Sequence, residues 1–196
     1  MKDKKLNIRI AFNSPVILGF TMMCFLSLIL GIITKDFTTN LLFSVYRSSL
    51  LSPFTYLRFV GHIFGHAGWE HFIGNIMLIL VVGPLLEEKY GSSNMLFIIL
   101  ATAIVTGIVD VLLFPHNAFL GASGVVFALI LLSSFTSLRE GELPLTFLLV
   151  AFIYIGEQIY QGIFYTDNVS NLTHIIGGVV GAGLGFVLNK NKMKKY

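Results

Sequence analysis

Charge is what this chain has least of. Of 196 residues only 12% are Asp, Glu, Lys or Arg, against about 25% in an ordinary soluble domain. With 55% hydrophobic residues and a mean hydropathy of +0.83, a soluble globular fold is excluded. Cysteine is nearly absent as well. Cys24 stands alone inside an apolar run, so no intrachain disulfide can form, and it reads as a small buried hydrophobe. No basic stripe with interleaved aromatics is present, which argues against nucleic acid as a partner. No His-Glu-x-x-His occurs, because Glu70 precedes His71 directly, so the metalloprotease signature fails. Internal repeats, low-complexity tracts and a separate soluble domain are also lacking.

What is present is a series of long apolar segments. A spanning helix needs about 20 apolar residues, and six stretches qualify, at about 15–33, 70–87, 93–113, 122–138, 144–163 and 171–189. The expectation is an all-α, polytopic membrane protein forming one membrane domain over 1–196. Val16 to Ile33 follows a basic tip, but it exceeds the roughly 7–15 residues of a signal-peptide core and reads as the first span. Basic residues gather at Lys2, Lys4, Lys5 and Arg9, and again at Lys190, Lys192, Lys194 and Lys195. By the positive-inside rule both ends lie in the cytoplasm, which agrees with an even number of spans and allows contact with anionic lipid. The loops at Glu87 to Lys89 and Arg139 to Glu142 then lie inside too. The segment from Lys35 to Gly68 fits no span: Pro53, serines and arginines interrupt it, and its aromatics suit the membrane interface.

Helix direction then places the polar residues. With the N-terminus inside, the second, fourth and sixth helices all enter from the outer face. Their first turns carry His71 and Asn75, Ser123, and His174. Four costly polar groups thus share one shallow depth, near positive helix ends. Alone, Ser123 within Gly121-Ala122-Ser123-Gly124 reads as a helix-packing serine, and His174 as an interfacial histidine. Together they fit nucleophilic attack on a carbonyl, with Ser123 as nucleophile and His174 as base. His71 and Asn75, spaced i, i+4 on one helical face, suit an oxyanion hole with the Ser123 N–H, although interhelical bonding is an alternative role for Asn75. No acidic residue obviously orients His174, Asp167 being in the preceding loop, so a dyad is expected. Gly177, Gly181 and Gly185 repeat every four residues beside His174, a spacing that lets helix backbones approach closely.

These elements resemble the rhomboid family of intramembrane serine proteases. The matches are His62-x3-His66-x4-His71-x3-Asn75, Gly121-Ala122-Ser123-Gly124 and His174-Ile-Ile-Gly177-x3-Gly181, in the family's order over about 55–187. The resemblance implies a six-helix core and hydrolysis of peptide bonds in or near transmembrane segments of membrane-protein substrates. It implies Ser123 and His174 as catalytic residues, His71 and Asn75 as oxyanion donors, and neither metal nor cofactor. Glu87 matches an acidic residue with a structural use at the inner end of the second helix. Two positions depart from the pattern: Leu57-Arg58 stands where Trp-Arg is common, and Phe127 where some members carry tyrosine. His62 and His66 read as supports of the outer loop. A three-histidine metal site from His62, His66 and His71 is the weaker reading.

Asp110 reads as interfacial, and Glu157 and Gln158 as lining a water-accessible cavity or a substrate gate. The rival to proteolysis is a catalytically inactive relative that binds transmembrane clients; such relatives usually lack the serine or the histidine, and both are present. A solute transporter is disfavoured, since neither an inverted repeat nor paired broken helices occur. The expected setting is a bacterial plasma membrane, with the active site opening to the outer face. Nothing in the residues specifies an oligomeric state.

Overall fold

The structure is a computed structural model, described for residues 12–134, 145–164 and 171–193. Lys2 to Arg9, Arg139 to Glu142, Asp167, Lys194 and Lys195 lie outside the described residues. The described chain is helical throughout: α1 (Pro15–Ile33), α2 (Phe37–Leu42), α3 (Pro53–Gly61), α4 (Trp69–Tyr90), α5 (Ser92–Leu113), α6 (Ser123–Ser134), α7 (Leu145–Phe164) and α8 (Asn171–Met193). A 3-10 turn, His62–Phe64, follows α3.

Among the described residues, four helices are long and apolar enough to cross a membrane: α1, α4, α5 and Asn171–Leu188 of α8. Apolar stretches in α6 and α7 are shorter, Ser123–Ser134 and Leu148–Tyr160. The expected reach of the fourth span to about 138 runs past the described residues. The Lys35 to Gly68 segment, expected to lie at the membrane interface without spanning, contains α2, α3 and the 3-10 turn. Its helices are too short to register as apolar periods, and Pro53 starts α3 at its first turn, where the missing N–H costs nothing.

The core is built around α6, whose Val125, Ala128, Leu129 and Leu132 are completely or almost completely buried. Large apolar side chains such as Met77, Val81, Phe97, Phe152 and Ile153 are exposed on the outside of the bundle. In water that would be a liability; in a bilayer it is the lipid-facing surface.

Two polar devices hold the ends of this bundle. At one end the buried Glu87 carboxylate accepts the Val16 and Ile17 N–H groups, each at 3.0 Å, and the Ser92 hydroxyl at 2.7 Å. The first-turn amides of α1 have no intrahelical acceptor, so Glu87 supplies one and sets an anion against the positive end of the helix dipole. At the other end, the segment between α1 and α4 is strapped to the chain before α6. Val45 and Phe119 exchange backbone hydrogen bonds at 2.8 and 2.9 Å, and the Gly121 N–H donates to the His62 carbonyl at 2.9 Å.

Candidate active site

The sharp entry into α6 puts Ser123 at the first position of that helix, and His174 lies in the first turn of α8. Ser123 Oγ is 2.7 Å from His174 Nε2. The contact depends on close helix approach. A Cβ placed on Gly177 would stand 2.5 Å from the Gly124 carbonyl oxygen, and one on Gly181 would stand 2.3 Å from that of Ala128. Both are below any tolerable contact with rigid backbone, so α6 and α8 touch backbone to backbone along the predicted glycine stripe. A Cβ on Gly124 would stand 3.3 Å from Thr106 Cγ2 of α5.

The imidazole of His174 is held on its other sides too. Its Nδ1 is 2.8 Å from Gln158 Oε1, on α7. With the amide oxygen as acceptor, the tautomer that fits is the one protonated at Nδ1, which leaves Nε2 to accept from the serine hydroxyl. Phe127, one turn beyond Ser123, stacks on the ring with centroids 4.9 Å apart and planes 12° from parallel. The edge of Tyr154 meets Phe127 in turn, at 4.9 Å and 83°. The absence of a hydroxyl at Phe127 therefore leaves the stack intact. The expected dyad has a third contact, from Gln158, which the sequence suggested only as a cavity-lining residue.

His71 and Asn75 line a cavity of about 710 Å³ together with Val126, Phe127, Gln158 and His174. Asn75 is buried and its Nδ2 has no hydrogen-bond partner. A buried amide donor left unpaired costs about 1–3 kcal/mol, and here it borders the cavity. Gly121 has a φ of +134°, a region that L side chains rarely adopt. A Cβ there would lie 2.9 Å from His71 Nε2 and 3.7 Å from Ser123 Oγ. The glycine thus leaves uncovered the space between His71 Nε2 and Ser123 Oγ that a side chain would fill.

His62 and His66 lie outside the spanning helices and serve the strap. The His62 Nδ1 donates to the Arg58 carbonyl at 3.1 Å, and its Nε2 is 3.3 Å from Thr106 Oγ1. His66 Nδ1 donates to the Phe64 carbonyl at 3.1 Å, and its ring meets that of His71 edge-on at 5.1 Å. Burial pushes both rings down to a pKa of about 4, so they are neutral in the fold; for His66 the neighbouring His71 adds to the effect. Arg58 supports the same segment, with donations to Tyr46 Oη at 2.6 Å and Ser48 Oγ at 2.7 Å and its guanidinium over the Tyr46 ring. Leu57 is exposed and takes no part in this anchoring. Among the described residues, no group of three or more His, Cys, Asp or Glu side chains is placed to hold a metal ion.

Asp110 differs from expectation. It is buried, and the Thr173 hydroxyl donates to its Oδ1. Its position at the outer end of α5 suggested an interfacial side chain, but α8 packs over it. A polar cavity of about 40 Å³ lies beside this pair, bounded by His62, Thr106, Ser123 and His174 among others. It is large enough for a water molecule.

An all-α polytopic membrane protein with a serine and a histidine hydrogen-bonded across two close-packed helices is the class that fold and site define. Residues 53–191 match the Rhomboid domain family, and the chain belongs to the rhomboid family. It is 34% identical over 144 residues to "Rhomboid-related protein 1" of Caenorhabditis elegans, covering 68% of this chain and 40% of that protein. It is 28% identical over 160 residues to "Rhomboid-related protein 2" of Mus musculus, covering 71% and 53%. Over 146 residues it is 26% identical to "Rhomboid protease GlpG" of Haemophilus influenzae, covering 70% and 73%. The chain thus spans about half or less of the two rhomboid-related proteins.

Proposed function

We propose that this protein is an intramembrane serine endopeptidase acting on transmembrane protein substrates. The observation that carries the reading is the 2.7 Å contact between Ser123 Oγ and His174 Nε2 at the edge of a cavity into which His71, Asn75 and Gln158 also face. Ser123 attacks the carbonyl carbon of the scissile peptide bond as His174 Nε2 takes its proton. The negative charge that develops on the carbonyl oxygen is met by the Ser123 N–H, His71 and the Asn75 amide. Collapse of the tetrahedral intermediate passes the proton from His174 to the leaving amine and leaves an acyl group on Ser123. His174 then deprotonates water, which attacks the acyl carbon, and Ser123 recovers its proton.

The cavity is walled by α4, α6, α7 and α8, and a substrate segment with an extended backbone enters it from the lipid. In the proposed setting both termini face the cytoplasm of a bacterial plasma membrane, and the cavity opens to the outer face. The family membership supports the membrane setting and the substrate class, and the identity to a named protease supports the reaction. The test is cleavage of a generic single-span substrate by the purified protein, comparing wild type with Ser123→Ala and His174→Ala, with a chelator control. Each substitution is expected to lower turnover by at least about 1,000-fold. A fluorophosphonate probe should label wild type and not Ser123→Ala. Activity that survives Ser123→Ala, or that a chelator abolishes, would overturn the reading. Binding of the single-span substrate without turnover would favour a client-binding relative.

A further inference from the structure

Gln158 is an anomaly in its helix. Around it on α7, Ile155, Ile159 and Tyr160 are exposed in the manner of lipid-facing residues, whereas Gln158 is only 4% exposed. Burying an amide away from water costs several kcal/mol unless its polar atoms are paired. Its Oε1 is paired with His174 Nδ1 at 2.8 Å, across two helices.

Resting on the serine-protease reading, we propose that Gln158 is a positioning residue for the base, completing a Ser123–His174–Gln158 chain of hydrogen bonds. An imidazole can take the serine proton at Nε2 only if Nδ1 holds the ring's own proton. Seated with its oxygen toward Nδ1, the Gln158 amide favours that tautomer and fixes the ring plane; turned over, its NH2 group would favour the other one and stop the reaction. The carbonyl oxygen of Gln158 does what a carboxylate does in a charged triad, minus the electrostatic stabilisation of the imidazolium. Phe127 stacked on one ring face restrains tilt but leaves the tautomer free, so the two contacts have separate jobs. The residue sits on α7, which rests mainly on α6 and α8. The base is therefore in working order only while α7 is seated against α8.

The test uses the full chain in detergent with a single-span substrate, over a range of pH. Gln158→Leu keeps the bulk and removes the acceptor; it is expected to lower kcat by about 10- to 100-fold with KM little changed. Gln158→Glu restores an acceptor and adds charge. It is expected to recover most of kcat and to move the acid limb of the pH–rate profile about one unit higher. Other groups near the base are the same in every variant: His71, Glu70, Tyr154 and Glu157 around the cavity, and Asp110 beside Thr173. A purely structural role for Gln158 would leave the His174 tautomer in Gln158→Leu as it is in wild type. Independently of turnover, ¹⁵N imidazole shifts should report His174 protonated at Nδ1 in wild type and in the Glu variant. In the Leu variant that preference should be lost. A His174→Ala spectrum assigns the signal among the five histidines of the chain.

Full kcat in Gln158→Leu, or equal losses in both variants with an unmoved acid limb, would overturn the inference. So would an unchanged His174 tautomer in Gln158→Leu. If wild type cleaves nothing, it is the protease reading that falls, and the tautomer measurement still decides the role of Gln158.

Discussion

Along the seam between α6 and α8 the two backbones meet at Gly177 and Gly181, with no room for a single added carbon. On α7 the situation is reversed: Gly156 has nothing within 4 Å of where a side chain would begin, and large apolar residues face outward on either side. Yet one hydrogen-bonded chain crosses both regions, from Ser123 to His174 to Gln158. The difference separates two requirements of the proposed chemistry. Nucleophile and base must stay within about 3 Å of each other through every turnover, which favours elements that cannot slide. Substrate must reach them from the lipid, and that requires a wall that yields. The seam suits the first need, and in the proposed reading α7 serves the second.

The largest effect that could break this comparison comes from the seam itself. Gly181→Val places branched carbons against the Ala128 backbone, where a Cβ alone already comes to 2.3 Å from the carbonyl oxygen. α8 must move away, and with it His174. Turnover is expected to fall by more than about 1,000-fold, with a clear drop in melting temperature in detergent. Unchanged turnover and melting would mean the close approach is not what holds the pair.

The next effect is confined to chemistry. Asn75→Ala removes a buried donor that has no other hydrogen-bond partner, and His71→Ala removes its neighbour along the helix. Each is expected to lower kcat by about 100- to 1,000-fold while leaving melting nearly unchanged. Substrate KM should move little, because the oxyanion exists only in the transition state. A loss in KM alone would assign the pair to substrate binding instead.

How much of this was legible beforehand follows the same division. The seam was, because its requirements are local and chemical: glycines at i, i+4 beside a histidine, and a serine between glycines, can hardly be written any other way. Helix parity then set Ser123, His71, Asn75 and His174 at one depth. For Gln158 the place in the cavity wall was legible and the contact with His174 was not, because hydropathy along an apolar α7 does not say which partner an inward side chain meets. Asp110 was misplaced for a related reason: its depth near a helix end is readable, while coverage by Thr173 of α8 is a tertiary fact. The short α2 and α3 escaped notice because in an interfacial segment neither water nor lipid imposes a clean period.

The strap belongs with the seam in being closely packed, and pH probes it. Unfolded histidine titrates near 6.5, whereas buried His62 and His66 resist protonation down to about 4. Between those values the unfolded chain binds more protons than the folded one, so stability falls as pH drops from 6.5 toward 4. It is constant, so far as these two groups are concerned, above 6.5. The loss on going from pH 7.5 to 4.5 is expected to be on the order of a few kcal/mol, read as a fall in melting temperature in detergent. His62→Asn should flatten that dependence while lowering the plateau. A plateau that extends unbroken to pH 4.5 would mean the strap opens readily enough to protonate while the helices stay folded.

The smallest expected effect sharpens the comparison most. Gly156→Ala adds a carbon on α7 into open space, where no backbone approaches. In a helix interior alanine is favoured over glycine by about 1 kcal/mol, so melting should stay level or rise slightly. Turnover should remain within about twofold of wild type, since Gln158 still reaches His174 from an unchanged helix. The same change at Gly177 meets the Gly124 backbone and should be severe. Two identical substitutions on neighbouring helices would then differ only in whether a backbone lies opposite. If Gly156→Ala instead lowered turnover tenfold at unchanged melting, the glycine would be needed for α7 to flex during substrate entry. The contrast would then lie between a glycine used for closeness and a glycine used for motion, rather than between tight and loose packing.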